Sequence, residues 1–487
     1  IRDAVANVRA NGALLEERGW EPEEDAATQR ALAQGHTMGC FYIESPATRL
    51  LQQKAKVGDF EHLVIHSSII RPAANDFIRE YVRRLHGGAW TPIHPRLAGV
   101  LDETYGIMVY QEDVSRAAVV VAGFSHVEAD GLRKVMSKKE KSRQLRDYYQ
   151  RFREGARARG VEAESIEARW AMMMSFEGYS MCKPHSASYA RVSFQAAYLR
   201  VHHPAEFMAA VISNQGGYYS TFAYVSEARR MRLAIAPPHV NRSRITWSGA
   251  DGTLRVGLMA VKGVSAATLA RIVAERGRRP FMDGGDFFGR TRCDEAEARA
   301  LIDAGALDGL GGAACRAQLG WELALWQKRR RKQRTRPADR LFATATSIPA
   351  PAFPAETPSR RLWREFAVLG FLCDRHPLYL FKTQLAGVQR IKAAHLHRHA
   401  GRRVRLAGWL ITGKRVRTKH GDPMEFLSFE DETALIETTF FPRVYARFCH
   451  LLETGHPYLL TGTVDEDWGA HTLNVQHVTR LSGTAGG

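Results

Sequence analysis

The chain has 487 residues, and 69 lysines and arginines against 51 acidic residues leave a net charge of +18 with histidines neutral. That length allows roughly two to four domains, each with its own core, and the basic surplus points to a polyanionic partner. The six cysteines (40, 182, 293, 315, 373 and 449) form no C-x-x-C pair, no apolar run reaches the length of a membrane span, and the first residues carry no signal-peptide core; these features argue against a zinc ribbon, a membrane protein and a disulfide scaffold, and the expected location is the cytoplasm.

The chain begins with Ile1 and not with methionine, so a fragment or the downstream half of something longer is expected. Residues 1–35 predict a charged helical stretch whose thin apolar stripe is Ala4, Val5, Val8, Leu14 and Leu15. Residues 40–43 predict a short strand that passes through Ser45-Pro46 into a helix. The stretch 105–114 is apolar and ends in a polar turn, where Gln111 and Glu112 suit positioning better than chemistry. Over 132–160 eleven basic residues stand against Glu140, Asp147 and Glu154 alone, and a solvated basic helix accounts for Arg143 through Arg159. A loop punctuated by Gly178 and Pro184 carries Lys183 and His185, and Ser186 is placed to cap a helix whose apolar face is Tyr189, Val192, Ala196 and Leu199. Such a loop can aim Lys183 and His185 at an anionic ligand; equally, it can be a Pro-punctuated helix hairpin with a solvated lysine. A second helix starts at Pro204 and fades at Asn214.

Residues 254–276 read strand, turn, helix around Val261-Lys262-Gly263-Val264, the look of a helix–hairpin–helix whose glycine lets backbone N–H groups approach a DNA phosphate. Residues 294–310 look like its helical companion, with Gly305 as the stop. Residues 328–361 open with Lys328-Arg329-Arg330-Arg331-Lys332 and turn Pro-rich, a linker by composition. From 362 a helical connector leads to alternating stretches at 404–412, 425–430, 434–441, 458–464 and 471–478, with a helix-like 443–452 between the third and fourth. That is the order of an OB-fold, a binder of single strands. Arg403, Arg405, Lys414, Arg415, Arg417 and Lys419 read as one basic cluster on its first hairpin; a barrel that packs on its neighbours without touching nucleic acid is the other reading. The expected fold class is multidomain α+β, with a mainly helical region, a helix–hairpin–helix module and a C-terminal five-stranded OB-fold β-barrel.

Gly178-Tyr179-Ser180-Met181-Cys182-Lys183-Pro184-His185-Ser186-Ala187-Ser188-Tyr189, followed by His203-Pro204-Ala205-Glu206-Phe207-Met208, resembles the fingers region of the bacterial C-family DNA polymerases, the alpha subunit of DNA polymerase III. Gly39-Cys40-Phe41-Tyr42-Ile43-Glu44-Ser45, Tyr105-Gly106-Ile107 with Tyr110-Gln111-Glu112, Leu132-Arg133-Lys134-Val135-Met136-Ser137-Lys138-Lys139 and Pro237-Pro238-His239-Val240-Asn241 are similar to further segments of that family. This chain departs from it at Ala73, where a glycine is usual, at Lys134, which replaces an arginine, and at His239, which replaces an aspartate. The resemblance implies the end of the palm or thumb-proximal region over 1–75, fingers over 76–235, a helix–hairpin–helix region over 236–327, the linker over 328–361, a connector over 362–400 and the OB-fold over 401–482. It implies nucleotide contacts from Arg133, Lys134, Lys138, Lys139, Lys183, His185, Ser186 and Tyr189. It implies DNA contacts from Arg71, Lys262, Gly263, Arg403, Arg405, Lys414, Arg415, Arg417 and Lys419. The implied partners are primer–template DNA, single-stranded DNA, dNTPs, and a sliding clamp with other replication or translesion factors, although no clamp-binding peptide stands out.

Nucleotidyl transfer needs carboxylates to hold two Mg²⁺ ions. The D-x-D at Asp465-Glu466-Asp467 sits between two predicted strands just before Gly469 and reads as a turn. In the family the palm carboxylates lie upstream of the segment that residues 38–45 resemble, so here they are expected upstream of Ile1, with no catalytic residue and no metal ligand inside residues 1–487. The expectation is therefore the downstream half of a polymerase, closer to the error-prone paralogues, with Mg²⁺ held by the missing palm and no activity alone. A non-catalytic DNA-binding accessory protein derived from the polymerase is the alternative.

Overall fold

The structure, a computed structural model, describes every residue except 16–19, 72–74, 93–96, 98, 137–141, 175–181, 313–314, 336–350, 352, 355, 419 and 483–487; of 142, 312 and 331–335 it describes the backbone alone. The chain forms two compact units, one of residues 1–16, 202–466 and 471–487, the other of residues 17–201 with 467–470. This division cuts across the expected segments 1–75 and 76–235. The cause is the helix Arg2–Ala10, which buries Ala4, Val5 and Val8 and packs on the distant helix Pro204–Asn214. Ile1 precedes that helix as its N-cap residue, and its side chain is exposed. The first residues thus belong to the unit that carries the hairpin module and the barrel.

In the 17–201 unit, Ser45 caps the helix Pro46–Ala55 by accepting from Thr48 N, with Pro46 in the first turn as expected. The strand expected over 40–43 is instead a series of turns. Gly39 and Tyr42 take positive φ (84° and 68°), Gly39 N donates to Glu44 at 2.7 Å, and Arg200 holds the carbonyls of His36 and Met38 at 2.8 and 3.1 Å. Four extended residues without a partner strand gain nothing from a ladder, so the local hydrogen bonds decide. The helix Gln111–Ala122 is the axis of this unit's core. Its Ala117, Ala118 and Val121 pack with Leu132, Phe152, Ile166 and Met173 from the helices His126–Met136, Ser142–Ala158 and Ala163–Met174. Gly155 permits the closest crossing, since a Cβ there would lie 2.0 Å from the carbonyl oxygen of Ala122. The helix Lys183–His202 begins four residues earlier than the sequence suggested. Pro184 falls in its first turn, where its missing N–H costs nothing, so Ser186 is a buried helical residue and not the N-cap.

In the other unit, β1 (Ala234–Ala236), β2 (Ser248–Ala250) and β3 (Thr253–Arg255) form a small sheet in the order β1-β3-β2, β1 parallel and β2 antiparallel to β3. Gly249 lets this sheet reach the start of Pro204–Asn214, as a Cβ there would stand 2.0 Å from the Ala205 carbonyl oxygen. The sheet leads into a 3₁₀ turn (Leu258–Ala260) and the helix Ala266–Arg278, capped by Ser265. The companion Glu295–Asp303 is capped by Asp294, and Gly305 takes φ 77° just past its end, as expected. The basic run at 328–332 is not a tether. It lies inside the helix Arg316–Thr335, because Lys, Arg and Gln are good helix formers and no proline intervenes before 337.

The five strands and intervening helix read from the sequence are all present. They are β4 (Arg403–Arg417), β5 (Pro423–Glu430), β6 (Leu435–Phe440), β7 (Pro457–Asp467) and β8 (Ala470–Arg480), with the helix Pro442–Phe448 between β6 and β7. They close as β4-β5-β6-β8-β7 with β6 and β8 parallel, the OB arrangement. Leu406, Phe429, Phe440, Tyr458 and Leu473 fill the interior. The outward Ala407 and Trp409 are covered too, by Leu378, Phe381 and the half-buried Phe366 and Phe222, which explains the unbroken apolar run in mid-β4. Glu430 at the end of β5 is fully buried and receives Arg230 Nη1 at 3.2 Å and His376 Nε2 at 3.4 Å, pinning the barrel to the helix Thr221–Arg230. Among the described residues no helix is long and apolar enough to cross a membrane.

Candidate nucleic-acid interface

Lys183 opens its helix on the surface of the 17–201 unit. Its Nζ lies 2.5 Å from Glu103 Oε2 and 5.5 Å from the Tyr110 ring, and its backbone N–H donates to Glu112 Oε2 at 3.3 Å. Six residues on, Tyr189 meets His185 at 4.2 Å between ring centroids, Tyr42 at 4.9 Å and Phe41 at 5.3 Å. Ser193 Oγ donates to the Phe41 carbonyl at 2.9 Å and fixes this aromatic cluster to the helix. Ser186 points the other way. It is fully buried and accepts from Ser68 Oγ at 2.6 Å, so it holds the helix in place. Arg71 is buried as well, 6% exposed, with its two terminal nitrogens on the carbonyls of Met108 and Val109 at 3.0 and 3.2 Å. Its geometry is that of a brace for the segment leading into Gln111–Ala122.

Arg133 and Lys134 share one partner, Asp130, each at 2.7 Å. Lys134 and then Arg133 hold that carboxyl below its ordinary range. Lys138, Lys139, Lys419 and the Gly178-Tyr179-Ser180-Met181 stretch lie outside the described residues.

The acids near Lys183 do not fit a two-magnesium site. Glu103 is engaged by Lys183 Nζ and Glu112 by its backbone N–H. Asp113 is buried, accepts from the N–H groups of Val109 and Tyr110 at 2.9 Å each, and is pushed up to about 6 by that burial. Asp465 and Asp467 are not the turn read from the sequence but the end of β7, and the turn of that hairpin follows at Trp468-Gly469 with φ 56° and 86°. Among the described residues no three His, Cys, Asp or Glu side chains gather to hold a metal ion.

In the other unit the hairpin before Ala266–Arg278 presents Lys262 and Gly263 to solvent. Gly263 takes φ 84° with nothing near its Cβ position, and Lys262 N donates to Val368 O at 2.9 Å. Glu297 of the companion helix accepts from Ser265 N, Ser265 Oγ and Thr268 Oγ1 at 2.9, 2.6 and 2.7 Å. Burial pushes its carboxyl up, but these bonds outweigh it and hold the group below its ordinary range.

The barrel does not gather its basic residues into one cluster. Arg403 and Arg405 pair with Thr463 and Thr461 on β7, whereas Lys414, Arg415 and Arg417 pair with β5. Residues 405 and 414 stand roughly 30 Å apart along an extended strand. Opposite Lys414 is Phe426, a ring left 45% exposed on β5, and Arg415 lies over the Tyr445 ring at 5.6 Å. An exposed ring beside cations is the arrangement on which single-stranded bases stack.

The bacterial DNA polymerase III alpha subunit finger domain matches residues 1–160, and a helix–hairpin–helix motif matches residues 232–319. The error-prone DNA polymerase of Symbiobacterium thermophilum is 32% identical over 94% of this chain and 47% of its own length. The DNA polymerase III subunit alpha of Saccharopolyspora erythraea is 31% identical over 97% of this chain and 42% of its own; that of Mycobacterium tuberculosis is 31% identical over 92% and 40%. The chain thus carries a finger domain of the bacterial DNA polymerase III alpha subunit and a helix–hairpin–helix motif, and nearly its whole length is similar to these polymerases. It spans less than half the length of these curated relatives.

The structure gathers Lys183, His185 and Tyr189 at one helix start and turns Ser186 inward. Glu103 and Phe426 are not among the residues that the sequence singles out, and the contact of Phe41 and Tyr42 with Tyr189 is not visible in it. Nothing local signals Glu103, eighty residues from Lys183. Phe426 was not legible either, since strand alternation sets it on the same face as the buried Met424, and burial along β5 does not alternate there.

Proposed function

We propose that the chain is the dNTP- and DNA-binding portion of a DNA-directed DNA polymerase of the DNA polymerase III alpha type, which adds dNTPs to a primer in replication or in error-prone translesion repair. One observation carries this reading: a single helix start brings together an ammonium (Lys183), an imidazole (His185) and the rings of Tyr189, Tyr42 and Phe41. The ammonium and the positive end of the helix suit a triphosphate, and the rings suit a base or sugar. Arg133 and Lys134 add phosphate-binding charge, as do Lys138 and Lys139 by the family resemblance. In this reading Mg²⁺ is held by palm carboxylates upstream of Ile1, because the acids beside Lys183 are already engaged. Primer–template DNA meets the Lys262–Gly263 hairpin, single-stranded template meets the barrel, a sliding clamp and other replication or translesion factors join the whole protein, and the site of action is the cytoplasm.

The same engaged acids favour a second reading, a non-catalytic DNA-binding accessory protein derived from the polymerase. Primer extension separates the two. Residues 1–487 with Mg²⁺ are expected to show no extension alone and to extend once the upstream region of the longer relatives is supplied in cis or in trans. In that restored enzyme Arg133→Ala or Lys134→Ala is expected to raise the KM for dNTPs with little change in Tm. No extension after restoration supports the accessory reading. Extension by 1–487 alone, abolished by Glu112→Gln, would overturn both.

A further inference from the structure

A polar cleft of about 310 Å³ opens between the β2–β3 hairpin, the end of the helix Arg2–Ala10 and the connector over 237–246. Asn7, Asn11, Arg242, Arg244, Thr253 and Arg255 line it, and no carboxylate is among its lining residues. Among the described residues no ion pair is formed by Arg242, Arg244 or Arg255; Arg255 Nη1 donates to the Pro237 carbonyl at 3.2 Å. The acid that reaches Asn11 is committed there, as Glu206 Oε1 accepts from Asn11 Nδ2 at 2.8 Å, and the same nitrogen donates to Gly249 O.

Guanidiniums held together without a counter-charge repel one another, and an anion between them reverses that balance. Burial first, and then the charge of Arg242, lowers Arg255 from its ordinary range, and burial with Arg242 and Arg255 does the same to His239. The cleft is also fixed to the hairpin. Leu258 N and Met259 N donate to the carbonyls of Arg244 and Ile245 at 3.0 Å each, and Gly257 leaves no room for a Cβ, which would lie 2.6 Å from Ile245 O. Arg276 clamps the connector from the other side through the carbonyls of Val240 and Ser243. These bonds tie the connector side of the cleft to the 3₁₀ turn that leads into Lys262 and Gly263.

We propose that this three-arginine cleft binds a backbone phosphate of duplex DNA, as a phosphate contact separate from the Lys262–Gly263 hairpin. It goes beyond the polymerase reading and rests on it only for the source of the phosphate. The test is fluorescence anisotropy of residues 1–487 with a labelled duplex across a salt series, comparing wild type with Arg242→Gln/Arg244→Gln. Both side chains are exposed, so the Tm is expected to hold. The double variant is expected to bind roughly threefold to tenfold more weakly at low salt, with the slope of log K against log salt reduced by about 0.9 for each phosphate that is no longer neutralised. Arg255→Lys, which keeps the charge but loses the fork, is expected to fall between them. Titration with inorganic phosphate and with dATP separates the sources. A variant that loses dATP binding and keeps its DNA affinity overturns the DNA assignment. If wild type binds duplex DNA and the double variant binds it with the same slope, the cleft assignment alone falls. If wild type itself does not bind duplex DNA, the DNA-binding reading falls and takes this assignment with it.

Discussion

Lys183 Nζ lies 2.5 Å from Glu103 Oε2, and both side chains are close to half exposed. A pair of this kind contributes about 0.2–1 kcal/mol, so a triphosphate that takes the ammonium displaces the carboxylate at small cost. Glu103→Gln is therefore expected to raise dATP affinity roughly 1.5- to 5-fold, and Lys183→Ala to lower it. Isothermal titration of residues 1–487 reads both. Unchanged affinity in the two variants would remove Lys183 from the proposed nucleotide site.

Asp113 gives a pH dependence whose sign can be worked out. Its carboxyl is raised from the ordinary 3.8 to about 6, burial outweighing the bonds from Tyr110 and Val109. Between those two values the unfolded chain has released this proton while the folded chain keeps it. Stability from this group is thus full at low pH and declines as pH rises through the window, by at most about 3 kcal/mol. Asp113→Asn keeps an oxygen to accept from both N–H groups and has no proton to lose. Its Tm relative to wild type is expected to climb between pH 4 and pH 7; a constant difference across that range contradicts the assignment.

Glu297 ties the companion helix to the first turn of Ala266–Arg278 through three bonds. Glu297→Ala leaves Ser265 N without that acceptor and removes a charge-assisted set, an expected loss of about 2–3 kcal/mol. Glu295 is exposed and pairs with Arg299 one turn along its own helix, so Glu295→Ala is expected to change stability by about 0.5 kcal/mol or less. Denaturant titration ranks the two. Equal effects would mean that the hairpin does not depend on this anchor.

Phe426 and Lys414 are cross-strand neighbours with different expected signatures. Phe426→Ala is expected to cost about 1–3 kcal/mol of single-strand affinity with no change in salt slope, since stacking releases no counterions. Lys414→Ala is expected to lower that slope by about 0.7. Arg403→Ala acts on the other end of β4, so its effect is expected to add to that of Lys414→Ala. Salt-dependent anisotropy with an oligothymidine measures all three, and a smaller slope on removing Phe426 counts against stacking.

Local pattern was enough for the elements that local physics determines. Strand alternation and order specified the barrel, and a glycine stop marked the end of the companion helix Glu295–Asp303, whereas the turn read at Asp465–Asp467 falls at Trp468-Gly469. Tertiary structure decided the rest. It placed Arg2–Ala10 on a helix two hundred residues away, buried Arg71 and Ser186, separated Arg405 from Lys414, and set Glu103 against Lys183. The physical reason is the same in each case. Periodicity says which face a side chain occupies, whereas its burial and charge pairing depend on what another part of the chain brings to that face.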